Sequence, residues 1–152
     1  MTKFTIFLLA AAILIFAIAV SHDATAATDS TKVDIGKLKH QTLCPVMNKP
    51  IDSAAYTDIQ GQRVYHCCPG CAKALQANPD KYFEQAARDG ILFENIQKTC
   101  PVSGKPIDKK YQTYYKGRLV YFSSADCLSK FNASPNIYLK KLDEATASKA
   151  KE

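Results

Sequence analysis

The hydrophobic residues of this chain are concentrated first at its N-terminus, where a largely apolar segment runs from Phe4 to Val20. One basic residue, Lys3, precedes this segment, and small residues at 24–26 follow it. That order is typical of a secretory signal peptide. An uncleaved N-terminal anchor is the alternative, because the segment is close to the shortest length that spans a bilayer. Residues 1–27 therefore predict an exported protein, either periplasmic or secreted.

From residue 43 onwards the hydrophobic positions form short segments, and the same order of segments occurs twice. Each copy begins with a turn between two prolines, continues with two short strands around a glycine, and ends with two helices. Aromatic and β-branched residues beside a glycine favour a hairpin, and Asn or Ser followed by proline is typical of a helix start. The predicted elements are strands at 55–59 and 63–67, helices at 71–77 and 79–88, strands at 111–115 and 118–122, and helices at 125–133 and 135–147.

The two copies are an internal duplication with a constant offset of 56 residues and no gap. The Cys-Pro-Val sequence at Cys44 returns at Cys100, and Cys71 returns as Cys127. Each copy has about 50 residues, a size at which disulfides or metals usually assist a small core. The predicted fold class is α+β, with two tandem small treble-clef-like repeats. The predicted boundaries are a flexible lead-in at 28–42, repeat 1 at 43–90, repeat 2 at 91–145 and a polar tail at 146–152.

The two repeats differ most in their sulfur atoms. Repeat 2 keeps only Cys100 and Cys127, whereas repeat 1 carries Cys44, Met47, Cys67, Cys68 and Cys71. Cysteines at a turn and at a helix start are a common zinc arrangement, and thiolates together with a thioether suit Cu(I). We therefore predict a metal site built from these five residues of repeat 1, with Cu(I) preferred to Zn(II).

Two residues of repeat 1 have an alternative structural interpretation. Met47 is either an auxiliary metal ligand or an apolar side chain that fills the space under the turn. His66 lies next to Cys67, but side chains alternate along a strand, so we expect it to point away from that cysteine. We expect His66 to be a partly exposed strand residue and not a ligand.

Two other hypotheses account for the cysteines without a metal. Cys68 and Cys71 flank Pro-Gly at a predicted helix start, where thiolates are favoured, so they could form a redox dithiol. A hairpin precedes them, however, and not the βαβ unit of a thioredoxin-like enzyme. Exported cysteines also tend to oxidise, so disulfides Cys44–Cys71 and Cys100–Cys127 could staple an inert protein-binding module. For repeat 2 the disulfide is the leading interpretation.

The distribution of positive charge bears on which partners the chain can bind. The net charge of +6 is spread over many lysines and does not form a block. In an exported protein this distribution indicates solubility or weak attraction to anionic surfaces and not nucleic-acid binding. We expect repeat 2 to pack on repeat 1 as a structural companion, through the aromatic residues of its hairpin: Tyr111, Tyr114, Tyr115, Tyr121 and Phe122.

These motifs resemble the YHS domain family, which is grouped with the TRASH domains. The resemblance lies in the Cys-Pro-Val turn, in the strand and helix start from Gly61 to Cys71, and in Asn-Pro-Asp-Lys-Tyr at 78–82, with a degenerate second match in repeat 2. It implies a treble-clef-like fold and a role in heavy-metal handling, with Cys44, Cys67 and Cys71 as ligands. The family pattern has a cysteine at the position of Met47, and in repeat 2 Ser103 and Ser123 stand at ligand positions.

The leading interpretation is an exported, non-enzymatic metal-binding protein for carriage, buffering or resistance. A soft-metal site of this kind can pass its ion to another protein by ligand exchange. The partners predicted for the chain are therefore the metal ion and a metal-transport or membrane protein.

Overall fold

The structure is a computed structural model that describes residues 33–149. The predicted signal peptide or anchor at 1–27 lies outside the described residues. Within the described part, no helix combines the length and the hydrophobicity needed to cross a bilayer. A 3₁₀ turn at Ile35–Lys37 comes first, and the other elements follow in chain order: β1 Lys39–His40, β2 Asp52–Ile59, β3 Gln62–His66, α1 Pro69–Ala77, α2 Pro79–Arg88, β4 Ile91–Leu92, β5 Glu94–Asn95, β6 Asp108–Tyr115, β7 Arg118–Phe122, α3 Ala125–Ala133 and α4 Pro135–Lys149. The α+β fold class is confirmed.

Two antiparallel hairpins form the strand framework. Strands β2 and β3 are joined by Gln60 and Gly61, whose φ angles are 50° and 75°, and β6 and β7 are joined by Lys116 and Gly117 at 46° and 83°. Two consecutive residues with positive φ are the signature of a tight hairpin turn whose twist matches the strands. Both hairpins were predicted, but β2 and β6 begin earlier than expected, at Asp52 and Asp108.

Each hairpin packs on its own helices around a separate core. The core behind the first hairpin contains Val64 and Leu75 beside Phe83. Phe83 packs edge-on against Phe93 at 5.1 Å between ring centroids, so repeat 1 extends past its predicted end at residue 90. In repeat 2 Phe122 and Phe131 pack at 5.2 Å. The sheets are small: β5 adds to the β2–β3 hairpin, β1 pairs with β4 in parallel, and β6 pairs with β7.

The same local hydrogen bonds recur in both halves at the offset of 56 residues. The side-chain amide of Gln41 donates to the Tyr65 carbonyl oxygen at 2.7 Å and accepts from the Tyr65 N–H at 3.0 Å. Gln97 makes the same pair with Tyr121, at 2.6 and 2.9 Å. The two segments therefore share their backbone geometry in the region that leads into each cysteine cluster.

The chain ends of the repeats are more ordered than the predicted boundaries. Residues 35–40 lie in the predicted flexible lead-in, yet they form the 3₁₀ turn and β1, which pairs with β4. Helix α4 extends to Lys149 and so continues into the predicted polar tail. The lead-in differs because β1 pairs with the distant β4, whereas α4 runs only two residues past its predicted end at 147.

The two repeats pack on each other through a buried arginine. Arg118 is fully buried, and its guanidinium lies 4.1 Å from the centre of the Phe83 ring. It donates hydrogen bonds to Asp80 at 2.5 Å and to the Gln60 side chain, both in repeat 1. The neighbouring Gly117 lies directly against the Phe83 carbonyl group.

The expectation that the aromatic hairpin covers this contact is wrong in part. Tyr111, Tyr115 and Phe122 instead pack in the core of their own repeat, where Tyr115 meets Phe131 edge-on at 5.8 Å. These residues point to the helix side of the hairpin. The contact with repeat 1 is made by the turn, by the first residues of β7 and by α4, where Asp143 accepts a hydrogen bond from the Gln60 N–H at 2.7 Å.

Candidate metal centre

Three local structures place the cysteines of repeat 1. Cys44 begins the Pro-flanked turn, where its carbonyl accepts from the Asn48 N–H and its N–H donates to the Lys49 carbonyl, both at 2.8 Å. Cys67 directly follows β3, and Cys71 lies in the first turn of α1. The turn, the strand end and the helix start therefore converge at one point.

The three sulfur atoms form a compact group. The Sγ atoms of Cys44, Cys67 and Cys71 all lie within 4.8 Å of one another, and Cys67 and Cys71 are 4.0 Å apart. An ion with metal–sulfur bonds of about 2.3 Å separates its sulfurs by about 4.0 Å in a trigonal site and about 3.8 Å in a tetrahedral one. Among residues 33–149 no other set of three Cys, His, Asp or Glu side chains forms a potential metal site of this kind.

The thiols of this group have different electrostatic environments. Burial raises the pKa of Cys44, but the backbone N–H groups of Met47, Cys67 and Val46 oppose burial and lower it overall. Burial raises the pKa of Cys71, and the neighbouring thiols of Cys68 and Cys44 raise it further. Metal binding at this site therefore has to release protons, because thiolates and not thiols are the ligands.

Cys68 lies beside the group but is not one of its members. It is exposed, and its Sγ is 3.3 Å from that of Cys71. This separation is shorter than the sulfur–sulfur edge of about 3.8 Å in a tetrahedral thiolate site, so Cys68 would have to move in order to share an ion with Cys71. Side-chain and backbone hydrogen bonds with Cys71 lower the pKa of Cys68.

Met47 and His66 differ from the structural interpretations considered for them. Met47 is 51% exposed, so it does not fill the space under the turn. His66 is only 4% exposed, and the expectation of partial exposure is wrong. The alternation of β3 points His66 inward together with Val64, at the position that Phe122 occupies in repeat 2. Neither ring nitrogen of His66 has a hydrogen-bond partner among the described residues.

Repeat 2 has a hydroxyl network where repeat 1 has sulfur. The hydroxyls of Ser103 and Ser123 are 2.8 Å apart, and Ser123 lies 3.5 Å from the Cys127 sulfur. Ser124, which the sequence interpretation did not single out, donates to the Cys127 sulfur at 3.3 Å. The constant offset could have identified Ser124, because it matches Cys68.

The disulfides considered from the sequence are not formed. All six cysteines are free, including Cys100 and Cys127 in repeat 2 and Cys44 and Cys71 in repeat 1. Cys127 contacts serine hydroxyls instead. Burial raises the pKa of Cys100, but hydrogen bonds from the Ser103 side chain and from nearby backbone groups lower it overall to about 6.

Comparison with known proteins finds a family match within repeat 2. Residues 99–141 match the family model of the YHS domain. No curated protein and no solved structure matches the chain. The match covers repeat 2, which was expected to be the degenerate copy, and the assignment of repeat 1 to the same family stays a prediction. The family resemblance is thus confirmed over the second repeat, where residues 99–141 are similar to the YHS domain.

Proposed function

We propose that this chain is an exported, non-enzymatic protein that binds a soft metal ion through Cys44, Cys67 and Cys71 of repeat 1. The YHS domain supports a metal-associated function. The observation that carries the proposal is the group of three sulfur atoms within 4.8 Å of one another. Two of these thiols, Cys44 and Cys71, are buried, so the thiolates are shielded from bulk water on one side.

The donor set favours Cu(I) over Zn(II) as the ion. Zinc in structural sites takes four ligands, whereas the group offers three thiols and Cys68 is too close to Cys71 to complete a tetrahedron in place. Soft sulfur ligands select Cu(I). Met47 is exposed in the same turn, and we propose that its thioether serves as an additional soft ligand.

The exposure of the site supports a carrier or buffer and not a purely structural role. Cys67 is only half-buried, and Met47 is half-exposed. An incoming thiolate or thioether can therefore approach the ion from the Cys67 side and displace its ligands one at a time. A metal-transport or membrane protein with a sulfur site is the partner this geometry suits, and the role is carriage, buffering or resistance.

The test is a metal titration of the reduced protein and of matched cysteine variants. We expect one Cu(I) per chain, and we expect Cys67→Ser to weaken binding by at least about 100-fold, since loss of a direct ligand should exceed the 10–100-fold effect of outer-shell changes. Cys100→Ser, at the position of repeat 2 that matches Cys44, is the control and should leave both stoichiometry and affinity unchanged. Equal effects of the two substitutions would refute the assignment of the site to repeat 1.

A further inference from the structure

We propose that a reversible disulfide between Cys68 and Cys71 controls the metal centre, so that oxidation of this pair releases the ion. This inference rests on the proposed function, because it concerns the same three thiols. It assigns a role to Cys68, which is not one of the three thiols of the metal site. Repeat 1 would then have two mutually exclusive states, a metal-bound dithiol state and a metal-free disulfide state.

The geometry of Cys68 and Cys71 suits a disulfide better than shared ligation. Their Sγ atoms are 3.3 Å apart, compared with about 2.05 Å in a disulfide and about 3.8 Å between ligands of one tetrahedral ion. Cys68 is the N-cap residue of α1, yet its side chain makes no capping hydrogen bond. The Cys68 sulfur therefore lies against the Cys71 sulfur and needs to approach it by only about 1.3 Å to reach the length of a disulfide bond.

Access to the pair is one-sided. Cys68 is exposed and Cys71 is buried at 2% exposure. Gly70, between them, has open space around its Cα, with no atom within 4 Å of an added side-chain carbon. An external oxidant therefore meets the exposed Cys68 sulfur before the buried Cys71 sulfur.

The chemistry is a thiol–disulfide exchange with a small-molecule or protein disulfide as the oxidant. The Cys68 thiolate attacks one sulfur of that disulfide, and the first thiol leaves as a mixed disulfide forms. The Cys71 thiolate then attacks the Cys68 sulfur, which forms the Cys68–Cys71 bond and expels the second thiol. Two electrons pass from the pair to the oxidant, and the two protons of the pair end on the two departing thiols.

Metal release follows because Cys71 belongs to both arrangements. Its sulfur lies in the three-thiol group and 3.3 Å from Cys68. A disulfide sulfur is no longer a thiolate ligand, so oxidation leaves only Cys44 and Cys67. Conversely, a bound ion holds Cys71 and protects the pair from oxidation.

Repeat 2 contains a natural control for this switch. Ser124 occupies the position of Cys68, and its hydroxyl lies 3.3 Å from the Cys127 sulfur, the same separation as in repeat 1. Ser124 also accepts the capping hydrogen bond from the Cys127 N–H at 3.4 Å. Cys68→Ser should therefore preserve the start of α1 while it removes the partner thiol.

The experiment compares wild type and Cys68→Ser in reduced form and after treatment with oxidised glutathione, which is then removed. Zn(II) is the probe, because it does not change its own oxidation state. We expect both reduced proteins to bind Zn(II) alike. After oxidation the wild type should show a Cys68–Cys71 disulfide by peptide mass analysis and bind Zn(II) at least about 100-fold more weakly, whereas the variant should keep its reduced-state affinity.

The outcomes separate this inference from the proposed function. A reduced wild type that binds neither Zn(II) nor Cu(I) refutes the proposed function, and the switch falls with it. If the reduced and the oxidised wild type bind Zn(II) with the same affinity, only the switch is refuted. Equal loss of binding in wild type and Cys68→Ser also overturns the switch, because another cysteine pair would then be responsible.

Discussion

The tightest contact between the repeats predicts unequal destabilisation when either of two equivalent glycines is replaced by alanine. Gly61 and Gly117 occupy the same position in the two hairpin turns, with φ angles of 75° and 83°. Alanine at either position costs about 1–2 kcal/mol, because a left-handed conformation brings its Cβ close to the backbone. The backbone strain is therefore shared, and the surroundings decide the difference.

The surroundings of these glycines differ sharply. A Cβ at Gly61 would lie 3.5 Å from the Gln97 Cβ, an ordinary contact distance. A Cβ at Gly117 would overlap the carbonyl group of Phe83 and lie 2.6 Å from its carbon atom. The Phe83 atoms in this overlap belong to the backbone and cannot move aside as the end of a side chain can. The repeats would therefore have to separate, and the buried Arg118 would lose its hydrogen bond to Asp80. Breaking a buried charge pair costs about 3–5 kcal/mol, and the half-exposed Asp80 places this one at the lower limit.

We therefore expect Gly61→Ala to destabilise the protein by about 1–2 kcal/mol and Gly117→Ala by about 4 kcal/mol or more. Urea unfolding followed by circular dichroism measures both, and the difference corresponds to roughly 10 °C in Tm. Cu(I) binding is measured in parallel, and we expect it to persist in folded Gly117→Ala, because all three proposed ligands lie in repeat 1. Equal destabilisation by the two substitutions would refute the described packing of Gly117 on Phe83.

Three further predictions concern the thiols. Ser123→Cys should raise Cu(I) stoichiometry from one to two per chain, because residue 123 lies 3.5 Å from the Cys127 sulfur at the position of a ligand in repeat 1; Ser129→Cys, on the exposed side of α3, should not. Thiolate absorbance of the folded protein should titrate with a midpoint near pH 6 for Cys100 and lose that step in Cys100→Ser. Because this pKa is depressed from 9.0, ionised Cys100 should stabilise the fold fully above about pH 9 and progressively less as the pH falls towards 6. The free energy of unfolding in urea should therefore depend less on pH between 9 and 6 in Cys100→Ser than in the wild type. Metal affinity should fall with decreasing pH, since the raised pKa of Cys71 means that a proton competes with the ion; a pH-independent affinity would contradict thiolate ligation.

The sequence predicted most of the local structure, because local signals specify it. Helix α2 begins at Pro79 and ends at Arg88 as predicted, and α3 spans Ala125–Ala133 as predicted. Proline after an Asn or Ser cap and glycine in a two-residue turn act through neighbouring atoms alone. The convergence of Cys44, Cys67 and Cys71 was also anticipated, since it follows from the order of turn, strand and helix.

Features that depend on distant residues were missed. The burial of His66 depends on the core behind β3, and the contact of Arg118 with Asp80 joins residues from different repeats. A charged residue in a strand reads as exposed unless its partner is known. The sequence also did not reveal that Cys68 lies outside the three-thiol group. Sequence spacing alone does not distinguish a Cys68 sulfur 3.3 Å from the Cys71 sulfur from one at the distance between two ligands of the same ion.

The glutamine bridges set where each structural unit begins. Gln41 ties the segment before Cys44 to the strand that leads to Cys67, and Gln97 does the same for the segment before Cys100. A shortened chain that starts at Cys44 would lose the hydrogen bonds between Gln41 and Tyr65. The turn that carries Cys44 would then be held to Cys67 and Cys71 mainly through the hairpin. The smallest independent unit of repeat 1 therefore starts at or before Gln41, and that of repeat 2 at or before Gln97, upstream of the matched residues 99–141. Transfer of either repeat into another protein should use these boundaries.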